Sequence, residues 1–392
     1  MKELIVKAGR EKSLRRRHPW IFSGAVDSVS GGVQSGETVT VRSGDGAFLA
    51  HAAFSPQSQI VGRVWSFRES EAIDATFFAT RIRAAVQARS AIRNTAALRL
   101  IHAESDGLPG IIVDRYGDVL VMQFLTAGAE FWRETVIDSL VAVTGIENLF
   151  ERSDADVRTL EGLEPRAGPL RGTVPEAPLL IEENGLKFNV DVRTGHKTGF
   201  YIDQRDNRAL VRQLAAGREV LNCFCYTGAI SVAALAGGAK HALSIDSSGP
   251  ALQLGIENVR LNGIDPAASE WMEADVFTAL RLLRDKARAF DLIILDPPKF
   301  APTVQFVEKA ARAYKDINLL AFKLLRPGGL LATFSCSGGV SPDLFQKIVA
   351  GAALDAGVDA QILKRLGPGE DHPVALSFPE GDYLKGLLLR RL

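Results

Sequence analysis

The chain has 392 residues, 46 Lys/Arg against 46 Asp/Glu and 46% hydrophobic residues, ordinary globular composition with room for two to four domains at roughly 100–200 residues each. No apolar run approaches the roughly 18–20 residues that span a bilayer, and no signal peptide is expected from "MKELIVKAGREKSLRRRHPW". Three cysteines, Cys223, Cys225 and Cys336, argue against a disulfide framework or a four-cysteine zinc site, so no metal and a cytoplasmic, reducing compartment are expected.

In chain order, residues 1–71 read as short strands broken by turns, with alternation in "ETVTV" and a "GDG" hairpin signal, the pattern of a small β-barrel. Arg15, Arg16 and Arg17 precede His18-Pro19-Trp20, and residues 1–100 carry 15 Lys/Arg against 8 Asp/Glu. That surplus suits a polyanion, and an exposed charged loop explains it equally well. Residues 72–97 have helical periodicity; "IIVDRYGDVLVMQF" reads as a strand pair turning at Tyr116-Gly117-Asp118, followed by a helix at about 129–143. Proline and glycine in "PRAGPLRGTVPEAP", 165–178, mark a loop. These elements make residues 72–187 a central α+β domain.

From residue 188 the pattern becomes α/β, with strands at 219–223, 242–246, 291–295 and 330–335 alternating with helices at about 228–236, 249–262, 276–288 and 305–325. The segments 358–365 and 384–390 read as a terminal antiparallel pair. This is a doubly wound, Rossmann-like sheet, and its ligands belong at the carboxyl ends of its strands. The first strand runs into "NCFCYTGAIS", where Gly228 lets backbone approach a ligand. Neither a dinucleotide fingerprint nor a P-loop lysine is present, which disfavours a dehydrogenase. Asp246, 24 residues past Asn222, is placed to accept ribose hydroxyls, and Asp275 an exocyclic amine; a helix N-cap is the plain alternative for either. An adenosine cofactor lacking a pyrophosphate fits, and S-adenosylmethionine is the common one.

The next strand ends in "LDPPKF", 295–300. Pro297 and Pro298 stiffen a loop that projects carbonyls and Asp296, a suitable surface for an amine-bearing planar base, with Lys299 beside it and Phe300 available for stacking. The turn "RPGG", 326–329, precedes the strand that ends at Cys336. Asp296 and Cys336 are therefore expected to face one pocket. A cysteine taken alone is more often inert packing, and Cys223 and Cys225 read as such.

The motifs "TGHKTGFYIDQRDNR" (194–208), "NCFCYTG", "DPPKF" and "FSCSGG" together resemble the RlmI-type class I methyltransferases, which modify cytosine C5 in large-subunit ribosomal RNA. "HPWIFSGAV" (18–26) looks like that family's N-terminal PUA domain, and "HAESDGLPGIIVDRYGD" (102–118) resembles its central domain. The resemblance implies that Phe200, Tyr201, Asp203 and Arg205 help close the cofactor site. It implies that Asn222, Phe224, Tyr226 and Gly228 surround the methionine end, that Asp246 and Ser247 take the ribose, and that Asp275 takes the adenine. Cys336 corresponds to the nucleophile, with ribosomal RNA as partner. Pro297, Lys299 and Phe300 would meet the base, and Arg15, Arg16 and Arg17 the RNA backbone.

A thiolate adding to C6 would activate C5 for methylation, and a protonated Asp296 could bind N3. The base that takes the C5 proton is left between Lys299 and water. Two other readings stay open: an adenine or guanine amino-nitrogen methyltransferase that needs no thiol, and a catalytically silent RNA-binding protein. An exposed edge strand could mediate a homodimer, but no residue demands one.

Overall fold

The computed structural model describes residues 2–301 and 304–392. Its contacts divide the chain into two units: Met1–Ile181 with Val190–Ile202 and Glu370–Gly381, and Glu182–Asn189 with Asp203–Gly369 and Asp382–Leu392. The expected barrel and central domains thus fall in one unit. Residues 190–202, expected in the α/β domain, also belong to that first unit.

The first unit opens with β1 (Glu3–Val6), α1 (Lys12–Arg15), β2 (Trp20–Phe22), β3 (Val26–Ser30), β4 (Thr38–Ser43), β5 (Phe48–Phe54) and β6 (Ile60–Ser66). They form one sheet in the order β2-β6-β5-β4-β1-β3. In β4 the two-residue alternation buries Val39 and Val41 against Leu4, Val6, Leu14 and Ile21. The "GDG" turn joins β4 to β5 as expected, with Gly46 at φ +88°.

Next come α2 (Ala75–Ala88), β7 (Ala97–His102), β8 (Ile111–Tyr116), β9 (Val119–Phe124), α3 (Ala127–Phe131), α4 (Arg133–Thr144), β10 (Asn148–Ser153), α5 (Val157–Leu160) and β11 (Arg166–Arg171). The strands pair in the order β11-β10-β9-β8-β7. The helix expected at 129–143 is two helices broken at Trp132, and α2 stops at Ala88 rather than near 97. The expected loop at 165–178 contains a strand, β11. It is an edge strand, where Pro169 costs the sheet no inner ladder bond.

A two-stranded sheet of β12 (Leu179–Glu183) and β13 (Leu186–Val190) follows. The second unit then runs through α6 (Arg205–Leu214), β14 (Glu219–Cys223), α7 (Ala229–Ala236), β15 (His241–Asp246), α8 (Gly249–Leu261), β16 (Ser269–Glu273) and α9 (Val276–Asp285). It ends with β17 (Phe290–Leu295), α10 (Val307–Leu324), β18 (Leu325–Ser335), α11 (Pro342–Ala356), β19 (Ala360–Leu366) and β20 (Lys385–Arg391). The sheet order is β16-β15-β14-β17-β18-β20-β19, parallel except for β20, which runs antiparallel to both neighbours. β17 is a near-continuous apolar run, as befits a parallel strand covered on both faces. Leu221, Ile245, Ile293 and Leu331 are fully buried in one core. Strand order reverses between β14 and β17, the place where an open α/β sheet leaves a crevice.

The expected "RPGG" turn lies inside β18. Phe290 pairs with Leu325 and Leu292 with Leu330, so residues 326–329 form a bulge in the ladder, with Gly328 at φ +77°. The terminal antiparallel pair is present as β19 and β20. Among the described residues no helix is long and apolar enough to cross a membrane. No group of three or more His, Cys, Asp or Glu among them is placed to hold a metal ion.

Candidate active site

The loop after β14 is held in an uncommon conformation: Phe224 and Tyr226 have φ of +59° and +49°, and Gly228, opening α7, has +67°. Non-glycine residues at positive φ cost energy and gather at functional loops. Asp246 at the end of β15 supports this one. Its Oδ2 accepts the Tyr226 amide at 2.8 Å and its Oδ1 the Ser248 amide at 3.0 Å, which leaves further lone pairs for a ligand. Gly228 has a packing reason as well as the expected ligand one, because a Cβ there would lie 2.3 Å from the Trp271 ring. Asn222 lies within β14 and is buried; its amide donates to Ser231 at 2.9 Å, tying the strand to α7. Ser247 is exposed beside Asp246, while Ser248 caps α8. Asp275 is exposed at the end of β16 and caps α9 by accepting the Thr278 amide at 2.9 Å, the plain alternative raised for it.

β17 and β18 are parallel neighbours, so "DPPKF" and Cys336 leave the sheet side by side. Cys336 is half-buried, with Sγ 3.9 Å from the Pro297 carbonyl oxygen. The serines on either side are fully buried and meet one hydroxyl: Ser335 Oγ donates to Tyr314 Oη at 2.9 Å, and Ser337 Oγ lies 3.0 Å from it. Ser337 Oγ also accepts the Ala301 amide at 3.1 Å, which ties the end of the proline loop to the cysteine turn. Both serines thus face α10's tyrosine, while Cys336 between them lies against the proline loop. Cys223 and Cys225 are different. Both are buried, and burial pushes both thiols up, Cys225 further through Asp246.

Asp296 accepts a hydrogen bond from Gln204 Nε2 at 2.8 Å, and Gln204 Oε1 in turn accepts from Asn207 at 2.6 Å. Burial of the carboxyl, reinforced by the nearby Asp203 carboxylate, raises its pKa from 3.8 to about 7. Near neutral pH a large share of Asp296 therefore carries a proton and can donate a hydrogen bond. Phe300 is not poised as a free stacking face. It packs in an aromatic cluster, 4.9 Å from Tyr314, 5.9 Å from Phe277 and 6.4 Å from Phe224 between ring centroids, so it shapes the loop from below. Pro297 is buried and Lys299 exposed.

Asp203 and Arg205 belong to the second unit, and Phe200 and Tyr201 to the first. Arg205 is buried at the start of α6, 3.5 Å from Asp206. The adjoining Arg208 forms a buried two-point pair with Glu183, 2.7 Å at each contact, which fixes α6. In the first unit Phe200 is buried, and Tyr201 Oη lies 3.4 Å from His196 Nδ1. Their segment is anchored through Thr198, which bonds Asp114 at 2.5 Å and Tyr116 at 2.8 Å. Arg15, Arg16 and Arg17 are all exposed, and Arg17 borders a cleft of about 220 Å³ that Arg68 and Arg81 also line. Sequence reasoning missed Gln204, Tyr314 and Lys385. Of the three, only Gln204 sits inside one of the motifs.

The family model for S-adenosylmethionine-dependent methyltransferases matches residues 170–376, and that for the PUA-like domain matches residues 4–67. A protein of Shewanella denitrificans called ribosomal RNA large subunit methyltransferase I is 51% identical over 389 residues, 98% of each chain. Its namesake in Shewanella amazonensis is 52% identical over 388 residues, again 98% of each. The chain belongs to the ribosomal RNA large subunit methyltransferase I family. A putative S-adenosylmethionine-dependent methyltransferase from Streptococcus mutans, 24% identical, shares the fold over 100% of both chains with a TM-score of 0.86. A putative methyltransferase complexed with SAH, 25% identical, does so with a TM-score of 0.87.

As a member of this family the chain uses S-adenosylmethionine, and the second unit has groups that fit it. Asp203 Oδ2 accepts from Tyr383 at 2.6 Å, while Asp203 Oδ1 is buried without a hydrogen-bond partner among the described residues. A buried carboxylate oxygen left in that state is costly, and an amino-acid ammonium would satisfy it. Asp246 and Asp275 stand at successive strand ends on the same edge of the sheet, where ribose and adenine would need acceptors.

Proposed function

We propose that this methyltransferase acts on C5 of a cytosine in large-subunit ribosomal RNA, in the cytoplasm, through a covalent bond from Cys336 to C6. The observation that carries the reading is the Cys336 turn, where two buried serines lock the backbone while the thiol stands against the Pro297 carbonyl of the Asp296 loop. The names of the relatives support the RNA, and the exposed Arg15, Arg16 and Arg17 support phosphate contact by the PUA-like region.

S-adenosylmethionine supplies an electrophilic methyl group on a sulfonium. Asp203, Asp246, Ser247 and Asp275 would hold its polar groups, with Asn222, Phe224, Tyr226 and Gly228 shaping the loop beside it. Arg205 would come from the segment before the sheet. The Cys336 thiolate attacks C6, forming the S–C6 bond and moving the C5–C6 π pair onto C5. C5 so activated would take the methyl group that bound S-adenosylmethionine would supply, the methyl–sulfonium bond giving way to the methyl–C5 bond. Loss of the C5 proton to water, or to Lys299 in its neutral form, returns the pair to the ring and expels the thiolate, which regenerates the cysteine. Asp296 in its protonated form donates to N3 while charge builds in the ring, a use that suits a carboxyl whose pKa is about 7. The target base must be unpaired or flipped out to meet Cys336.

The test is to incubate the protein with radiolabelled S-adenosylmethionine and large-subunit ribosomal RNA, digest to nucleosides and separate them. Label in 5-methylcytidine is expected. Label in an N-methylated purine would move the chain to amino-nitrogen chemistry, and no label in RNA would leave a silent RNA-binding protein.

A further inference from the structure

β20 begins at Lys385, directly opposite Ser335, the last residue of β18. The residue is buried at 7% exposure, and its ammonium donates to the carbonyl oxygens of Ser337 at 2.8 Å and Val340 at 2.9 Å. Ser337 O also accepts the Val340 amide at 3.1 Å, so the turn that follows Cys336 is closed at the same carbonyl from two sides. Burying an ammonium is costly, and a neutral donor could close the same turn without that cost. The charge therefore calls for a further reason.

The titratable groups around this corner come from every element packed there. Lys385 is on β20, and Asp382 lies just before it. Tyr314 reaches in from α10, and Asp296 and Lys299 come from the loop after β17. Burial lowers the Lys385 pKa, Asp382 and Cys336 raise it, and Lys299 opposes them. Tyr314 is pushed up by burial and by the charges of Cys336 and Asp296, so it contributes no charge near neutral pH. Lys385 is thus a buried cation that interacts with Cys336, and the interaction is mutual: whatever a thiolate does to favour the ammonium, the ammonium does to favour the thiolate.

Resting on the reading of Cys336 as nucleophile, we infer that Lys385 is a positioning residue with two roles, clamping the turn after Cys336 and supplying the positive charge that holds its thiol ionised for attack. The thiol proton goes to solvent. Lys385 keeps its own proton, and no bond at Nζ is made or broken.

The experiment is peptide-resolved alkylation of Cys336 by iodoacetamide between pH 6 and 10, on the full chain, with methyl-transfer pH profiles beside it. Wild type is compared with Lys385→Met, Lys385→Arg and Lys385→Gln; the last keeps a donor without a charge and serves if the methionine variant does not fold. An ordinary thiol ionises near about 8.5. Wild-type Cys336 should ionise below that, and the Met and Gln variants about one pH unit above wild type, so that alkylation at pH 7 falls about tenfold. The acid limb of the methyl-transfer profile should move with it, and Lys385→Arg should restore both. Superimposable alkylation curves with reduced activity would leave only the clamp and overturn the electrostatic role, as would equal losses in the Arg and Gln variants. Failure of the underlying reading looks different: Cys336→Ala would keep methyl transfer, and no change at Lys385 would then bear on catalysis.

Discussion

Replacing Asp296 with asparagine should stabilise the protein, and the gain should grow with pH in a defined window. In the folded chain, burial and the Asp203 carboxylate raise this carboxyl to about 7 from an ordinary 3.8. Between those values the folded state holds a proton that the unfolded state has released. Stability therefore falls as pH rises, by about 1.4 kcal/mol per unit, and becomes flat above the folded pKa. Asparagine has no such slope, and its side-chain oxygen can still accept from Gln204. The stability difference between variant and wild type should open by about 2–3 kcal/mol from pH 5 to 7 and then stay constant to pH 8.5. Urea titrations followed by circular dichroism at pH 5, 6, 7 and 8.5 measure it. A difference that is constant between pH 5 and 7, or that shrinks, refutes the claim that the site holds a protonated carboxyl. The same ionisation should appear in wild-type kinetics as a loss of methyl transfer above about pH 7, and this limb should be absent in Asp296→Asn.

Tyr314→Phe removes the hydroxyl shared by Ser335 and Ser337. It should cost about 1–3 kcal/mol in urea unfolding and lower kcat through loss of the cysteine geometry; unchanged values of both would show that the serines hold the turn unaided. Arg208→Ala leaves Glu183 buried without its two-point partner and should destabilise by about 3–5 kcal/mol, again by urea titration. A cost below 1 kcal/mol would mean that α6 is fixed by other contacts. Changing Arg15, Arg16 and Arg17 together to glutamine should raise KM for ribosomal RNA with kcat unchanged, and flatten the salt dependence of RNA binding by up to about two to three in log–log slope. An unchanged KM and slope would remove these arginines from the RNA surface.

Much of the second unit was legible because its parallel strands are covered on both faces. Runs such as "DLIIL" carry the strand signal in composition alone, and two of the helices between them start at side-chain caps, Ser248 for α8 and Asp275 for α9. What was misread is what pairing decides. β11 is exposed and contains Gly168 and Pro169, so only its ladder to β10 makes it a strand. "RPGG" has every local mark of a turn, yet pairs on both sides draw it into β18 as a bulge. Phe300 stands next to the candidate base contacts in sequence but is claimed by Tyr314 and Phe277 in space.

The candidate site divides in the same way. Asp296 and Cys336 could be placed together from strand order, because each ends a strand and the strands are neighbours. The groups that make their chemistry plausible could not. Lys385 closes the cysteine turn from 48 residues away, and Tyr314 meets Ser335 from 21 residues away on a helix whose sequence shows only ordinary amphipathic spacing. Gln204 lies inside the 194–208 motif, but nothing local marks a glutamine as the partner of a carboxyl 92 residues further on.

The central claim is that Cys336 bonds to C6 of a cytosine, and RNA carrying 5-fluorocytosine tests it most directly. Fluorine at C5 cannot leave as a proton does, so the adduct formed after methyl transfer should persist. With S-adenosylmethionine present, wild type should give a protein–RNA band that survives a denaturing gel, and Cys336→Ala should give none. If wild type forms no band while it still methylates unmodified RNA, or if the alanine variant forms the band as well, the thiol of Cys336 is not the nucleophile.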